Sequence, residues 1–309
     1  MSAGGVAPPG GLRWLVTGAG GMLGRDVVAR LEREGAAVTA VARGDLDITD
    51  RAAVAATVAA TRPDVVVHCA AWTAVDLAEE HEAEALAVNG DGAGNVAAAC
   101  AAAGARMIQL STDYVFDGTG FDGTGRQPYP ETAVPAPVSA YGRTKLAGEE
   151  AVARLLPGRC WILRTAWLYG AHGRSFPATM IGLAARQPEV TVVDDQHGQP
   201  TSTVTVAGLI AALVAADAPP GIYHATCSGQ TTWHGLAQEI FRLLGADPGR
   251  VRPIPSSALT RPAPRPAWSV LGHGAWAEAG LPAPEDWRAA LHRDFPALAA
   301  AARGVQSNA

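Results

Sequence analysis

Lysine is all but missing from this chain of 309 residues: of its 24 Lys and Arg residues, only Lys145 is a lysine. Cysteine is sparse too. Cys69, Cys100, Cys160 and Cys227 lie too far apart to form a metal or redox pair motif, which points to free thiols in a reducing cytoplasm. Long apolar runs are absent as well, because Asn, Asp or Gly interrupts the alanine-rich stretches before they reach the roughly 20 residues of a membrane span. Met1 to Gly11 lacks the basic-then-apolar order of a signal peptide and reads as a flexible leader, and Arg303 to Ala309 reads as a flexible tail. Excess positive charge is lacking: a net charge of −5 offers no general attraction to nucleic acid or to an anionic membrane, so neither is an expected partner. No internal repeat is visible.

What remains is a chain 48% hydrophobic, long enough for one large or two intimate domains around a substantial core. Arg13 to Thr17 reads as an apolar strand, followed at once by Gly18-Ala19-Gly20-Gly21-Met22-Leu23-Gly24 and a helix from about Leu23 to Glu34. Gly18, Gly21 and Gly24 form a G-x-x-G-x-x-G turn between strand and helix. Such a turn lets backbone approach a pyrophosphate and aims a helix N-terminus at it, so dinucleotide binding is expected there.

The second strand, Ala37 to Ala42, ends without the carboxylate that would bind a ribose 2′-hydroxyl; Arg43 follows and suits a 2′-phosphate. NADPH is the expected cofactor, with NADH as the alternative. Asp47-Ile48 lies where an adenine edge could be held, although Asp47 serves equally well as an N-cap for a helix starting near Asp50.

Asp64 to Cys69 has the continuous apolar run of a buried parallel strand and leads into Ala70-Ala71-Trp72-Thr73, small enough for a cofactor to lie close. Glu79 to Ala103 is expected to be helical and to supply another crossover, with Asn89 bracing the sheet through backbone hydrogen bonds. The strand Arg106 to Leu110 delivers Ser111 and Thr112 to the same sheet end, where ligands of open α/β sheets sit. A Gly- and Pro-rich loop, Asp117 to Pro137, is the candidate mobile lid.

It returns to Tyr141-Gly142-Arg143-Thr144-Lys145. A tyrosine and the one lysine, four residues apart, share a helix face. An ammonium beside a phenol favours the phenolate and is expected to lower the tyrosine pKa from its reference of about 10. The alternative is an ordinary Tyr/Lys pair on a surface helix.

Arg159 to Thr165 is a further strand. Beyond Gly170 the pattern changes: helices at Ser175 to Arg186, Val204 to Ala216 and Thr232 to Leu244, short strands at Val190 to Val193 and Gly221 to Thr226, and a last helix near Ala283 to Asp294. Residues 251–267 read as irregular and Pro-rich, placing Arg261 and Arg265 near an anionic ligand.

These segments resemble the extended short-chain dehydrogenase/reductases, within which the match is to the dTDP-4-dehydrorhamnose reductases and related dTDP-4-keto-6-deoxyhexose reductases. The resemblance rests on VTGAGGMLG (16–24), CAAWTAVDLAE (69–79), LSTDYVFDGTG (110–120), YGRTKLAGE (141–149), RTAWLYG (164–170), DDQHGQPT (194–201) and GIYHAT with TTWHGLA (221–237). It implies an α/β fold: a Rossmann-type doubly wound parallel sheet over 12–170, with a return segment at about 203–243. A smaller C-terminal substrate-binding lobe would take 171–309, chiefly 171–202 and 244–303.

It also implies NAD(P)H-dependent reduction of the C4 ketone of a dTDP-linked 6-deoxy-4-ketohexose. Thr112, Tyr141 and Lys145 would be the catalytic triad, with Lys145 also on the nicotinamide ribose. Gly18, Gly21, Met22, Leu23, Gly24, Arg43, Asp47, Ile48, Ala70, Ala71, Thr73 and Ser111 would hold the cofactor. Thr73, Val75, Thr112, Asp113, Tyr114 and Trp167 would face the sugar, with Gln196, Gly198 and Arg265 toward the nucleotide.

Some members of the family bind Mg2+ at a dimer contact through a Glu just after the glycine turn. Asp26 occupies that position here, so metal and homodimer are weaker expectations. His68 stands where many relatives have Asn and is expected as a hydrogen-bonded strand residue. The rhamnose precursor is the favoured substrate, with a streptose-like or antibiotic sugar as the alternative. A non-catalytic regulatory subunit should lack Tyr141 or Lys145, and a dehydratase should show Glu where Tyr114 stands.

Overall fold

The computed structural model describes residues 11–124 and 127–306. Apart from Gly11, the expected leader lies outside these residues. The chain begins with β1 (Arg13–Thr17), α1 (Met22–Arg33), β2 (Ala37–Val41), α2 (Arg51–Thr61) and β3 (Val65–His68). Short helices α3 (Val75–Ala78) and α4 (Glu82–Leu86) follow, then a π-helical turn over Ala87–Gly92 and α5 (Ala93–Ala103). Next come β4 (Arg106–Thr112), α6 (Ala140–Leu155), β5 (Cys160–Thr165) and β6 (Leu168–Tyr169). After them lie α7 (Phe176–Arg186), β7 (Val190–Val193), β8 (His197–Gly198), β9 (Thr201–Ser202), α8 (Thr203–Ala215) and β10 (Gly221–His224). The chain closes with β11 (Thr231–Thr232), α9 (Trp233–Leu243), β12 (Val251–Ile254), α10 (Gly274–Glu278) and α11 (Trp287–Gln306).

The main sheet is six-stranded and parallel, in the order β10-β5-β4-β3-β1-β2. The order reverses beside β1, so the carboxyl ends of β1, β3 and β4 open on one crevice. One face is covered by α1 and α8, which pack Val27, Leu31, Val206, Ile210 and Leu213 against Trp14, Val16, Val65 and Leu163. The other face is covered by α2, α5 and α6 through Val54, Val58, Val96, Ala97 and Val152. Both helical layers exist because the strands are apolar on both sides, and helices must cover each one.

A second core unites α7, β7, α9, β12 and α11 around Met180, Val192, Ile240, Phe241, Leu291 and Phe295. The expected return segment therefore divides: α8 and β10 join the main sheet, whereas α9 turns its apolar stripe to the second core.

Three expectations change. The Glu79 to Ala103 segment becomes helical only at Glu82 and carries a π turn at Ala87–Gly92, from which the Asn89 side chain grips the loop after β3. The last helix starts later than expected and runs through Arg303 to Gln306, the first half of the supposed tail. The 251–267 stretch contains β12, which pairs in parallel with β7 in spite of Pro253, as an edge strand allows.

The loop 117–137, of which 125 and 126 lie outside the described residues, carries a small core of its own. Phe116 stacks on Tyr129, and Trp268, Val270 and Leu271 complete it. Tyr129 donates to Asp117 and accepts from Gly120 N–H, which ties the supposed lid down. Among the described residues, no helix is long and apolar enough to cross a membrane.

Candidate active site

The glycine turn packs tightly between β1 and α1. Gly18 has φ +66°, and a Cβ there would stand 2.5 Å from Ala70 N. A Cβ on Gly24 would meet the Gly18 carbonyl oxygen at 2.3 Å. Gly21 caps α1 without a side-chain hydrogen bond, and no acid occupies the first turn. The first N–H groups of α1, including those of Met22 and Leu23, thus carry the positive end of the helix dipole with no protein anion to answer it. The residues present fit a dinucleotide pyrophosphate.

At the rim, Arg43 is exposed beyond β2. Asp47 does not cap α2: its carboxylate accepts Thr49 N–H and O–H in a turn of its own, which holds its pKa down. Asp50 is the cap, accepting from Ala52 and Ala53 N–H. Ile48 is buried against the α2–α5 layer. His68 is a buried strand residue whose Nδ1 pairs with Thr17 Oγ1 at 2.7 Å, and burial pushes its pKa down to about 3.

The register of β4 against β5 sets Ser111 beside Arg164 and Thr112 beside Thr165 at the carboxyl end of the sheet. Ser111 Oγ and Thr165 Oγ1 are buried with no hydrogen-bond partner among the described residues. A buried hydroxyl left unbonded is uncommon, and both stand at the carboxyl end of the sheet.

Above them lies α6. Ser139 caps it, accepting Gly142 N–H. Tyr141, Lys145 and Glu149 follow at intervals of four and share its sheet-facing side. Gly148 lets α6 approach the π turn so closely that a Cβ would stand 2.2 Å from Asn89 O. Asn89 in turn bonds both backbone groups of Trp72 and Thr144 Oγ1, tying the loop after β3 to α6.

Lys145 is 3% exposed and donates to Leu110 O at 2.6 Å. Burial lowers its pKa to about 8, opposed by the negative charge of Glu149. Glu149 pairs with Arg164 at 2.7 Å, both side chains under 5% exposed, and the guanidinium lies 5.1 Å from the Phe116 ring centroid. The Thr112 hydroxyl donates to Asp113 Oδ1 at 3.0 Å and accepts Tyr114 N–H.

Burial raises the Asp113 carboxyl to about 6; the neighbouring Ser269 and Thr112 hydroxyls oppose the rise. The expected lowering of the Tyr141 pKa is not what the structure has. Burial, reinforced by the Asp113 charge, raises it to about 12, against a hydrogen bond with Thr112. The Lys145 ammonium is spent on a strand carbonyl, so desolvation of the phenol prevails.

Tyr114 packs edge-on against Tyr141, with ring centroids 5.6 Å apart, and feels the charges of Arg265 and Asp76. Arg265 reaches this end of the cleft by donating to Asp76 Oδ2 at 2.8 Å, while Ala263 N–H bonds Oδ1. Thr73 and Val75 flank the start of α3 nearby. Gln196 is engaged elsewhere, donating to Ser256 Oγ at 2.8 Å. Gly198 packs against the Trp167 ring.

Asp76, Thr165, Glu149 and Trp233 belong to this neighbourhood and were missed. Thr165 had a signal, a hydroxyl ending a strand as Thr112 does; the others show only in three dimensions. Asp26 accepts from Thr203 Oγ1 at 2.5 Å and stands 3.5 Å from His172 Nε2. Among the described residues of this single chain, no group of three or more His, Cys, Asp or Glu could hold a metal ion. The four cysteines are free thiols, three buried and Cys69 partly so.

Known proteins resemble this chain in sequence and fold. The family model of the RmlD substrate binding domain matches residues 12–299. A dTDP-4-dehydrorhamnose reductase of Streptomyces griseus is 59% identical over 93% of this chain and 94% of its own. A dTDP-4-keto-6-deoxy-D-glucose reductase of Streptomyces niveus is 54% identical over 93% of this chain and 97% of its own. The crystal structure of dTDP-4-dehydrorhamnose reductase from Bacillus anthracis str. Ames in complex with NADP superposes with a TM-score of 0.87 at 35% identity, over 92% of this chain and 99% of that one. With a tight glycine turn between β1 and α1, a Tyr/Lys row of α6 beside Thr112 and these relatives, the chain belongs to the dTDP-4-dehydrorhamnose reductase family of extended short-chain dehydrogenase/reductases and is a nicotinamide-dependent oxidoreductase.

Proposed function

We propose that the protein is a dTDP-sugar 4-ketoreductase that uses NADPH, with dTDP-4-dehydro-L-rhamnose as its substrate and dTDP-L-rhamnose as its product. The observation that carries this reading is the Tyr141–Lys145 interval of α6, which sets the Tyr141 phenol in hydrogen-bond contact with the Thr112 hydroxyl at the end of β4. Identity to a dTDP-4-dehydrorhamnose reductase supports the substrate. Arg43, exposed at the end of a strand that has no terminal carboxylate, supports NADPH over NADH.

When bound, the dihydronicotinamide supplies a hydride to the ketone carbon. The chain's own residues manage the oxygen. Tyr141, kept protonated by its raised pKa, gives its proton to the developing alkoxide and is returned to the phenol by solvent. Thr112 has one hydroxyl proton, which Asp113 accepts in the free protein; to hold the ketone oxygen the hydroxyl must turn from Asp113. Asp113 is then open to a sugar hydroxyl. Lys145, whose charge Glu149 sustains, places positive potential beneath the site. Arg265 faces the anionic end of the sugar nucleotide.

A second reading, reduction of another dTDP-4-keto-6-deoxysugar, is favoured by the identity to the Streptomyces niveus reductase. Loss of dihydronicotinamide absorbance with each keto-sugar in turn separates the two. Faster turnover of dTDP-4-dehydro-L-rhamnose, with dTDP-L-rhamnose recovered, supports the first; no oxidation with it overturns that assignment.

A further inference from the structure

Among the described residues, three that are not glycine have positive φ: Arg62, Trp167 and Asp217. Arg62 and Asp217 end helices, where a left-handed residue is a usual stop. Trp167, at φ +47°, ends no helix. It follows β5 two residues after Thr165, beside the triad's end of the sheet. A bulky residue in that conformation persists only where its surroundings over-determine it.

Those surroundings come from the second core. The Trp167 indole stacks on Trp233 with ring centroids 3.6 Å apart and planes 10° from parallel. Phe176 leans on Trp233 in turn, at 4.7 Å and 56°. Trp233 opens α9, which is tightly held: the Thr232 hydroxyl caps Gly235 N–H and donates to Asp194, while Leu236, Ile240 and Phe241 bury the helix in the second core. Gly198 completes the bracket, since a Cβ there would stand 2.4 Å from Trp167 Cε2. The Trp167 carbonyl accepts Thr201 N–H.

We propose that Trp233 is a positioning residue that holds the Trp167 indole in one pose and thereby sets the affinity for the hexose of the sugar nucleotide. The inference rests on the reading of Trp167 as facing the sugar. A rigid indole offers a flat apolar wall to the C–H edges and the methyl group of a 6-deoxyhexose. A loose one must be ordered each time a ligand binds, which weakens binding without touching the reacting atoms.

The test compares wild type, Trp167→Leu, Trp233→Leu, Trp233→Phe and the double Leu variant. Three quantities are read: KM and kcat for the dTDP-keto-sugar, NADPH affinity by direct titration, and the rigidity of the Trp167 indole N–H by heteronuclear NOE. The Trp167 resonance is assigned by its loss in Trp167→Leu, and a ring-current shift alone does not count. Trp233→Leu should raise KM by up to about tenfold, the most an aromatic pair of this kind supplies beyond its buried area, with kcat and NADPH affinity unchanged. The Trp167 indole should become mobile, Trp233→Phe should recover most of the loss, and the double variant should be no worse than Trp167→Leu.

A rigid Trp167 indole in Trp233→Leu, or losses that add in the double variant, would overturn the proposal. If Trp167→Leu itself leaves KM unchanged while its indole loosens in Trp233→Leu, the sugar-facing reading of Trp167 has failed and the mechanical coupling stands.

Discussion

Gly18, Gly21 and Gly24, on the cofactor side of the cleft, sit in one strand–turn–helix segment and need only one another and Ala70 for their geometry. Trp167, Gly198 and Trp233 come from three separated segments, and both tryptophans pack against the second core. On the proposed function, the first half takes the dinucleotide through backbone groups whose positions follow from local chain conformation. The second half would then meet the sugar nucleotide through side chains placed by long-range packing. The contrast teaches where each kind of information resides: backbone recognition is written in short motifs, while side-chain recognition depends on how distant elements dock. α6 joins the halves, holding Tyr141 toward the reacting centre and Glu149 toward the sheet.

The sharpest test of that seam is Tyr141→Phe. Removing the proton donor should lower kcat by about 100- to 10,000-fold while NADPH titrates normally; a fall of less than threefold in single-turnover rate would remove Tyr141 from the chemistry. Next is Glu149→Ala, which strands the Arg164 guanidinium in the core. A loss of about 3–5 kcal/mol in urea unfolding is expected, because a buried charge without its partner is costly. The same change should also lower the Lys145 pKa, since Glu149 is the chief group raising it.

The pH dependence comes third. Lys145 is charged below its pKa of about 8 and neutral above it, whereas Tyr141 stays protonated to about 12. kcat/KM for reduction should therefore be lost as pH rises through about 8, roughly tenfold per unit if the ammonium is required. Lys145→Arg, which cannot deprotonate in that range, should abolish the alkaline limb whatever it does to the plateau.

On the sugar side alone, Gly198→Ala should displace the Trp167 ring and raise the sugar-nucleotide KM several-fold, up to about tenfold, with NADPH binding intact. Equal losses for both ligands would show that the halves are less separate than the packing implies. Smallest is Asp76→Asn, which releases Arg265 from a half-exposed pair: a change of about two- to threefold in that KM is expected, consistent with a contact worth under about 1 kcal/mol.

Much of this was legible in order along the chain. The β1–glycine turn–α1 unit follows from an apolar run, three glycines and an amphipathic helix, all local. The doubly apolar β3 and β4 call for helices on both faces. The four-residue interval between Tyr141 and Lys145 places both on one side of α6 before any fold is known. Other features escaped because they depend on competition between partners. Asp47 and Asp50 are equally good caps by composition, and only the start of α2 chose between them. Lys145 could serve Tyr141 or the sheet, and the depth of burial gave it to Leu110 O. Glu79 to Ala103 has helical propensity throughout, yet the demand of Trp72 for Asn89 opened a π turn within it.

The sequence by itself determined the strand–glycine turn–helix unit, the Tyr141/Lys145 row and the family, because each rests on residues a fixed few positions apart, whose geometry regular backbone supplies. The tertiary structure alone decided the protonation balance at Tyr141, the Asp76–Arg265 contact and the bracket around Trp167. Desolvation, charge neighbours and stacking faces exist only once segments remote in the chain are packed together.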